Sequence, residues 1–216
     1  MSSIAIPRRA NPVATLRRLA RRRPDVEQCE FCSLPLGSEH RHLLELAARK
    51  IVCACDPCAL RFENVLGRWK LIPRNIRLLG RFQMADARWD ALALPINLAF
   101  LFHSTPEGKV VAMYPSPAGA MQSLLSMNNW EILVSDNPAL AGMQPDVEAL
   151  LINRLGSARE HYIAPIDRCF ELCGLIRRHW RGLSGGEEAW QKIQGFFDAL
   201  RPQAHAVLSE LEAVHA

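Results

Sequence analysis

The sequence predicts an α+β fold: a small zinc-ribbon-like N-terminal unit, a β-rich middle and C-terminal helices. Three observations carry that prediction. Two closely spaced cysteine pairs, Cys29-Glu-Phe-Cys32 and Cys55-Asp-Pro-Cys58, stand near the N-terminus. Two apolar runs, residues 94–103 and 109–114, flank a Thr105-Pro106-Glu107-Gly108 turn, which is the pattern of a β-hairpin. Beyond residue 165 the apolar period becomes helical, with Ile166, Cys169, Phe170, Cys173, Ile176, Arg177 and Trp180 on one face. At 49% hydrophobic and 22% charged content, a chain of 216 residues has the material for a sizeable core, which argues against global disorder.

Three stretches follow from this: residues 1–24 as a basic flexible lead, 25–73 as the metal-binding unit and 74–216 as an α+β domain ending in helices. The lead carries Arg8, Arg9, Arg17, Arg18, Arg21, Arg22 and Arg23 and no acid. Those seven arginines exceed the net charge of +4, so the remainder is mildly acidic. A basic arm can meet nucleic acid or anionic lipid, but a solvated, frayed terminus is the simpler reading. Residues 14–23 could form a short helix with too few apolar positions for a membrane face. The aromatics do not interleave with a basic stripe, which ranks nucleic acid last among partners. Arg8-Arg9 lacks the apolar stretch of a twin-arginine signal, and no run approaches the length of a membrane span. A cytoplasmic protein is expected.

Along the chain, residues 42–46 and 50–53 read as two short strands joined by a turn at Ala47-Ala48-Arg49, and residues 68–72 as a third. Residues 74–90 read as mixed. Ser116 and Pro117 have the N-cap and first-position signature of a helix over 117–126. Residues 130–134 read as a strand, and 147–153 as strand or helix. The helix after residue 165 ends at the glycines of 182–186. A second follows over 187–200, with Trp190, Ile193, Phe196, Phe197 and Leu200 as its stripe, and a short amphipathic tail helix follows Pro202.

The chemistry concentrates between Cys29 and Cys58, where five of the seven cysteines lie. Their odd number and tight spacing argue for metal ligation and against a disulfide scaffold. A CxxC pair presents two sulfurs toward one point, and two such pairs, here 22 residues apart, complete a tetrahedral thiolate shell. Cys29, Cys32, Cys55 and Cys58 are therefore the predicted ligands, with Cys53 as alternative ligand, near neighbour or free thiol. Strand alternation puts Cys53 and Cys55 on one face. His40 and His42 could also ligate; ordinary exposed residues opening the first strand is the simpler reading. Zinc is the favoured metal and iron the alternative, as in rubredoxin or an iron–sulfur cluster. Ser33 and Ala59 stand where rubredoxin knuckles carry glycine, which lowers the iron reading. A shell filled by protein has no position for substrate, so the site reads as structural.

Other signals are weaker. Leu183-Ser184-Gly185-Gly186-Glu187 resembles the signature of ABC-transporter ATPases, but nothing matches the P-loop that would have to accompany it. Ser184 and Glu187 read more simply as a capping box. Cys169 and Cys173, near His179, could form a second metal or redox pair, though their helix face predicts burial as small hydrophobes. Residues 114–119 could frame a ligand loop, or turn a strand into a helix. No catalytic or cofactor-binding residues can be named.

Several stretches together carry a family resemblance: Cys29-Glu-Phe-Cys32, His40-Arg-His-Leu-Leu44, Cys53-Ala-Cys55, Tyr114-Pro-Ser-Pro-Ala-Gly119, Pro145-Asp-Val-Glu-Ala-Leu-Leu151, Pro165-Ile-Asp167 and His179-Trp-Arg-Gly-Leu-Ser-Gly-Gly186. The chain resembles an uncharacterised bacterial family whose genes often sit beside nickel–iron hydrogenase genes, from about residue 28 to 200. That resemblance implies an accessory role in hydrogenase maturation, assembly or electron transfer, with a hydrogenase subunit or maturation factor as partner. It supplies no activity. Its cysteine pattern maps onto Cys29, Cys32, Cys53, Cys55 and Cys58. The expected function is a non-catalytic metal-binding adaptor. A redox carrier using iron at the same cysteines and a nucleic-acid-binding ribbon are the alternatives.

Overall fold

Apolar runs buried on both sides build the centre of a seven-stranded sheet with both faces covered. A computed structural model describes residues 26–63, 65–92, 94–123 and 130–206; the arginine-rich lead and the tail beyond residue 206 lie outside the described residues. The first strands are β1 (Arg41–Glu45), β2 (Lys50–Ala54) and β3 (Trp69–Leu71), which form an antiparallel sheet in the order β2-β1-β3. Helix α1 (Asp56–Phe62) follows β2. The large sheet contains β4 (Ile76–Leu78), β5 (Leu98–Ser104), β6 (Lys109–Ser116), β7 (Gly119–Gln122), β8 (Glu148–Asn153), β9 (Glu160–Pro165) and β10 (Ala204–Ala206). Their order is β10-β4-β9-β8-β5-β6-β7, antiparallel except for the β10–β4 pair. Short helices α2 (Asp86–Asp90) and α3 (Trp130–Asp136) and long helices α4 (Ile166–His179) and α5 (Gly186–Leu200) complete the α+β architecture.

The side-chain period of two divides the strands between two cores. Leu98, Phe100 and Phe102 of β5, Ala149 and Leu151 of β8, and Tyr162 and Ala164 of β9 face α4 and α5. Ala99, Leu101, Leu150, Ile152 and Ile163 face the opposite way, toward Trp89 of α2 and Leu133 of α3. Burial on both sides explains why residues 149–152 are apolar without alternation. The small sheet has its own core on one face, with Leu43, Val52, Ala54 and Ala59 against Phe31, Phe62 and Trp69. Its other face contributes Leu44 to the α4–α5 core, which also holds Ile72 just past β3. Polar ties reinforce that docking. Lys70 donates to Asp146 at 2.6 Å, Arg49 pairs with Glu107, and Asp146 also accepts from the Thr105 amide and hydroxyl at 2.7 Å each.

Three expectations are corrected. Residues 119–122 form β7 and not a helix, because Ser116 pairs with Gly119 across a hairpin turn. Gly119 sits at φ +118°, which favours glycine, and the Ala118 amide donates to the Ser116 hydroxyl. Residues 130–134 belong to helix α3, whose Trp130, Leu133 and Val134 share the buried face at helical spacing. Ser184 is not the cap of α5: Gly185 is, at φ +88°, with no side-chain cap bond. Trp180 lies 3.0 Å from where a Cβ on Gly185 would be, so this glycine-rich segment is a tight turn packed under an aromatic ring. After Pro202 the chain enters β10, and the tail helix expected beyond it lies outside the described residues.

His161, on β9, is nearly buried and stacks on Phe82 at 4.4 Å between ring centroids. Burial, then the charges of Arg154 and Arg159, hold it down at about 4. The unfolded chain takes up this proton at about 6.5. Between those values the unfolded state binds more protons, so stability is full above pH 6.5 and falls as pH drops toward 4. The expected loss is ~2–3 kcal/mol. Urea melts at pH 7 and pH 4.5 check it, and a His161→Gln variant should lose less than wild type between them.

Candidate metal centre

The loop before β1 and the turn after β2 bring four sulfurs together. Residues 28–35 fold into a knuckle: Gln28 bridges Pro35, the Cys29 amide donates to the Leu34 carbonyl at 2.9 Å, and the Ser33 amide to the Cys29 carbonyl at 2.8 Å. Ser33 adopts φ +62°, the left-handed conformation that glycine would hold more easily. The Glu30 amide donates to the Cys53 carbonyl at 2.9 Å, stitching the knuckle to β2. The second pair is carried by a helix. Cys55 is the residue before α1, Pro57 occupies the first turn, and Cys58 lies within that turn. The sequence reading had not assigned this helix, although Asp56-Pro57 is the start signal for one.

Cys29, Cys32, Cys55 and Cys58 place their sulfurs within 4.8 Å of one another. Cys32 Sγ and Cys55 Sγ are 3.7 Å apart. A disulfide would hold them at about 2.05 Å, whereas four thiolates about 2.3 Å from one zinc ion sit about 3.8 Å apart. Burial would push the Cys29 thiol up, but the backbone amides of Cys55, Cys32 and Phe31 point at its sulfur and hold it down at about 6. Cys58, by contrast, is pushed up to about 12 by burial and by the thiols of Cys55, Cys32 and Cys29. A thiolate-stabilising amide cradle beside three crowded sulfurs is a donor set matched to a soft or borderline cation. The residues present fit a metal ion.

The sequence places this unit in a wider group. Residues 28–204 match the profile described as a family of unknown function (DUF5947). The chain belongs to that family. No curated protein and no solved structure matches it. The DUF5947 match takes in both the cysteine unit and the large sheet, from the bridge residue Gln28 to Ala204 at the start of β10.

Cys53 falls outside the four-sulfur group. Strand β2 ends at Ala54, and the turn into α1 breaks the alternation that would have kept Cys53 and Cys55 on one face. Cys53 gathers instead with His40 and His42. Those histidines are not the ordinary exposed residues that sequence reasoning favoured, since the His40 side chain is only 7% exposed. Cys169 and Cys173 are buried in the α4–α5 core, and burial holds both thiols well above their usual range. His179 hydrogen-bonds Glu188 at 2.7 Å. The expectation of small core hydrophobes describes that pair. Among the described residues no helix is long and apolar enough to cross a membrane.

Proposed function

We propose that Cys29, Cys32, Cys55 and Cys58 hold one structural zinc ion, and that the protein is a non-catalytic accessory or adaptor of a nickel–iron hydrogenase system. The observation that carries the metal reading is the gathering of four free sulfurs within 4.8 Å of one another, enough to fill a tetrahedral shell from the chain alone. Such a shell closes the ion to substrate, which favours a structural role. Zinc is favoured over iron because the second cysteine pair sits on a helix and not in a glycine knuckle. The adaptor reading is supported by the docking of the small sheet onto the large one, which makes a single two-sheet body. The hydrogenase association is supported by the family resemblance and its gene company. A hydrogenase subunit or maturation factor is the proposed partner.

Two measurements on full-length protein purified without oxygen test this reading. After dialysis against a weak chelator, one zinc per chain and no visible colour are expected; iron with visible absorption overturns the zinc assignment in favour of electron transfer. A tagged copy is expected to retain a hydrogenase subunit or maturation factor under native conditions. Failure with each of those proteins, presented singly and together, overturns the adaptor assignment.

A further inference from the structure

We propose that His40, His42 and Cys53 form a second metal site, distinct from the four-cysteine centre, which takes a borderline divalent transition-metal ion such as zinc or cobalt and leaves one coordination position open. One ligand atom from each residue lies within 4.8 Å of the others. The grouping follows from register: His42 of β1 is the cross-strand partner of Cys53 of β2, and His40 stands two residues before His42.

Hydrogen bonding fixes both rings. His40 Nδ1 lies 2.9 Å from the Gly37 carbonyl oxygen, which can only accept, so Nδ1–H donates there. His42 Nδ1–H donates to Asp167 Oδ2 at 2.7 Å. In a neutral imidazole the proton on Nδ1 leaves a lone pair on Nε2. The two Nε2 atoms face each other at 3.1 Å. Two lone pairs at that distance repel unless a cation stands between them. Two nitrogens on one tetrahedral zinc ion are about 3.3 Å apart, so little movement is needed. Metal-binding histidines almost always donate their other N–H to a carboxylate or a backbone carbonyl, and here there is one of each.

Three protein donors leave a fourth position, as in zinc sites that accept water or substrate. The mostly exposed Glu27 carboxylate stands 3.6 Å from His40 Nε2, beside that position. Asp167 belongs to the first turn of α4, so the site also reports whether the small sheet is docked on the large one. Asp167 acts as a positioning residue. The inference does not rest on the four-cysteine reading.

The test uses the full chain, dialysed against a weak chelator and then titrated with cobalt(II), with total metal and the visible ligand-field spectrum as readouts. Wild type is expected to keep its tightly held ion and to take up one further equivalent. Cys53→Ala and His40→Ala should lose that uptake while keeping the tightly held ion, which also shows that the unit is folded. Asp167→Asn leaves all three donors in place and should weaken cobalt binding about 10-fold or more. Absence of further uptake by wild type, or uptake unchanged in Cys53→Ala and His40→Ala, overturns the proposal; the two rings then share only a proton. A protein without the tightly held ion that still takes up cobalt through His40 and Cys53 overturns the four-cysteine reading and sustains this one.

Discussion

On the proposed zinc assignment, replacing Cys29 by serine is expected to release the ion and unfold the small sheet while leaving the large one intact. The cause is the size of the core beneath the four-cysteine group. Six buried residues, two of them the proposed ligands Cys29 and Cys55, hold the outer face of the small sheet together with the half-buried Phe31, Phe62 and Trp69. Such a cluster is too small to offset the chain entropy of the segment it orders. A structural zinc ion supplies on the order of 10 kcal/mol in small domains of this kind. Cys29 is the most demanding of the four positions, being 1% exposed and surrounded by three backbone amides that stabilise a thiolate. A serine hydroxyl keeps its proton at neutral pH and is a poor zinc ligand. Zinc content should fall from one to none, and proteolysis should cut between residues 28 and 70 while the β5–β8 region keeps its amide protection. A strong chelator should do the same to wild type and little more to the variant. Unchanged zinc content with unchanged protease resistance would count against the assignment.

The elements legible in the sequence were those whose signals are local. Doubled CxxC spacing marks a ligand set wherever the loops go. The hairpins at residues 41–54 and 98–116 announced themselves through apolar runs around turn residues, and the last two helices through their apolar stripes. The misread segments are those where a local signature serves two structures. Ser116-Pro117 opens helices, but here it turns a hairpin, and pairing along β6 decides between them. Trp130, Ile132 and Val134 are strand-type residues in alternation, yet burial of Trp130, Leu133 and Val134 follows a helical spacing. Strand β9 went unassigned because Glu160 and His161 open it and leave only residues 162–164 as an apolar run, although it lies inside the sheet between β4 and β8. The grouping of Cys53 with two histidines was hidden for a different reason. It depends on where β2 stops and on a partner, Asp167, 125 residues away, and neither is written in a spacing.

The second large effect is expected at Glu148, which belongs to neither cysteine group. Glu148 opens β8 on the face toward α2 and α3 and is 1% exposed. Its Oε2 accepts from Arg77 Nη2 and from the Gln144 amide, both at 2.8 Å. Arg77 comes from β4, and its Nε is buried without a hydrogen-bond partner in the described structure. The guanidinium therefore depends heavily on this one carboxylate. Glu148→Ala removes the counter-charge and leaves a partly buried cation and an amide unsatisfied, a change that costs ~3–5 kcal/mol. Glu148→Gln keeps the shape and one acceptor and should cost less. The decisive comparison is the double variant Arg77→Leu/Glu148→Leu. Because a buried ion pair gains little net stability over apolar residues of similar volume, the double variant should be more stable than Glu148→Ala alone. Urea melts of Arg77→Leu, Glu148→Leu and the double variant give the coupling between the residues. Zinc content should remain at one per chain in all of them, which separates this effect from that of Cys29→Ser. Additive losses in the double variant would show that Arg77 and Glu148 stabilise the sheet separately, and the pair would then not be the tie that holds β4 against the β8–β9 hairpin.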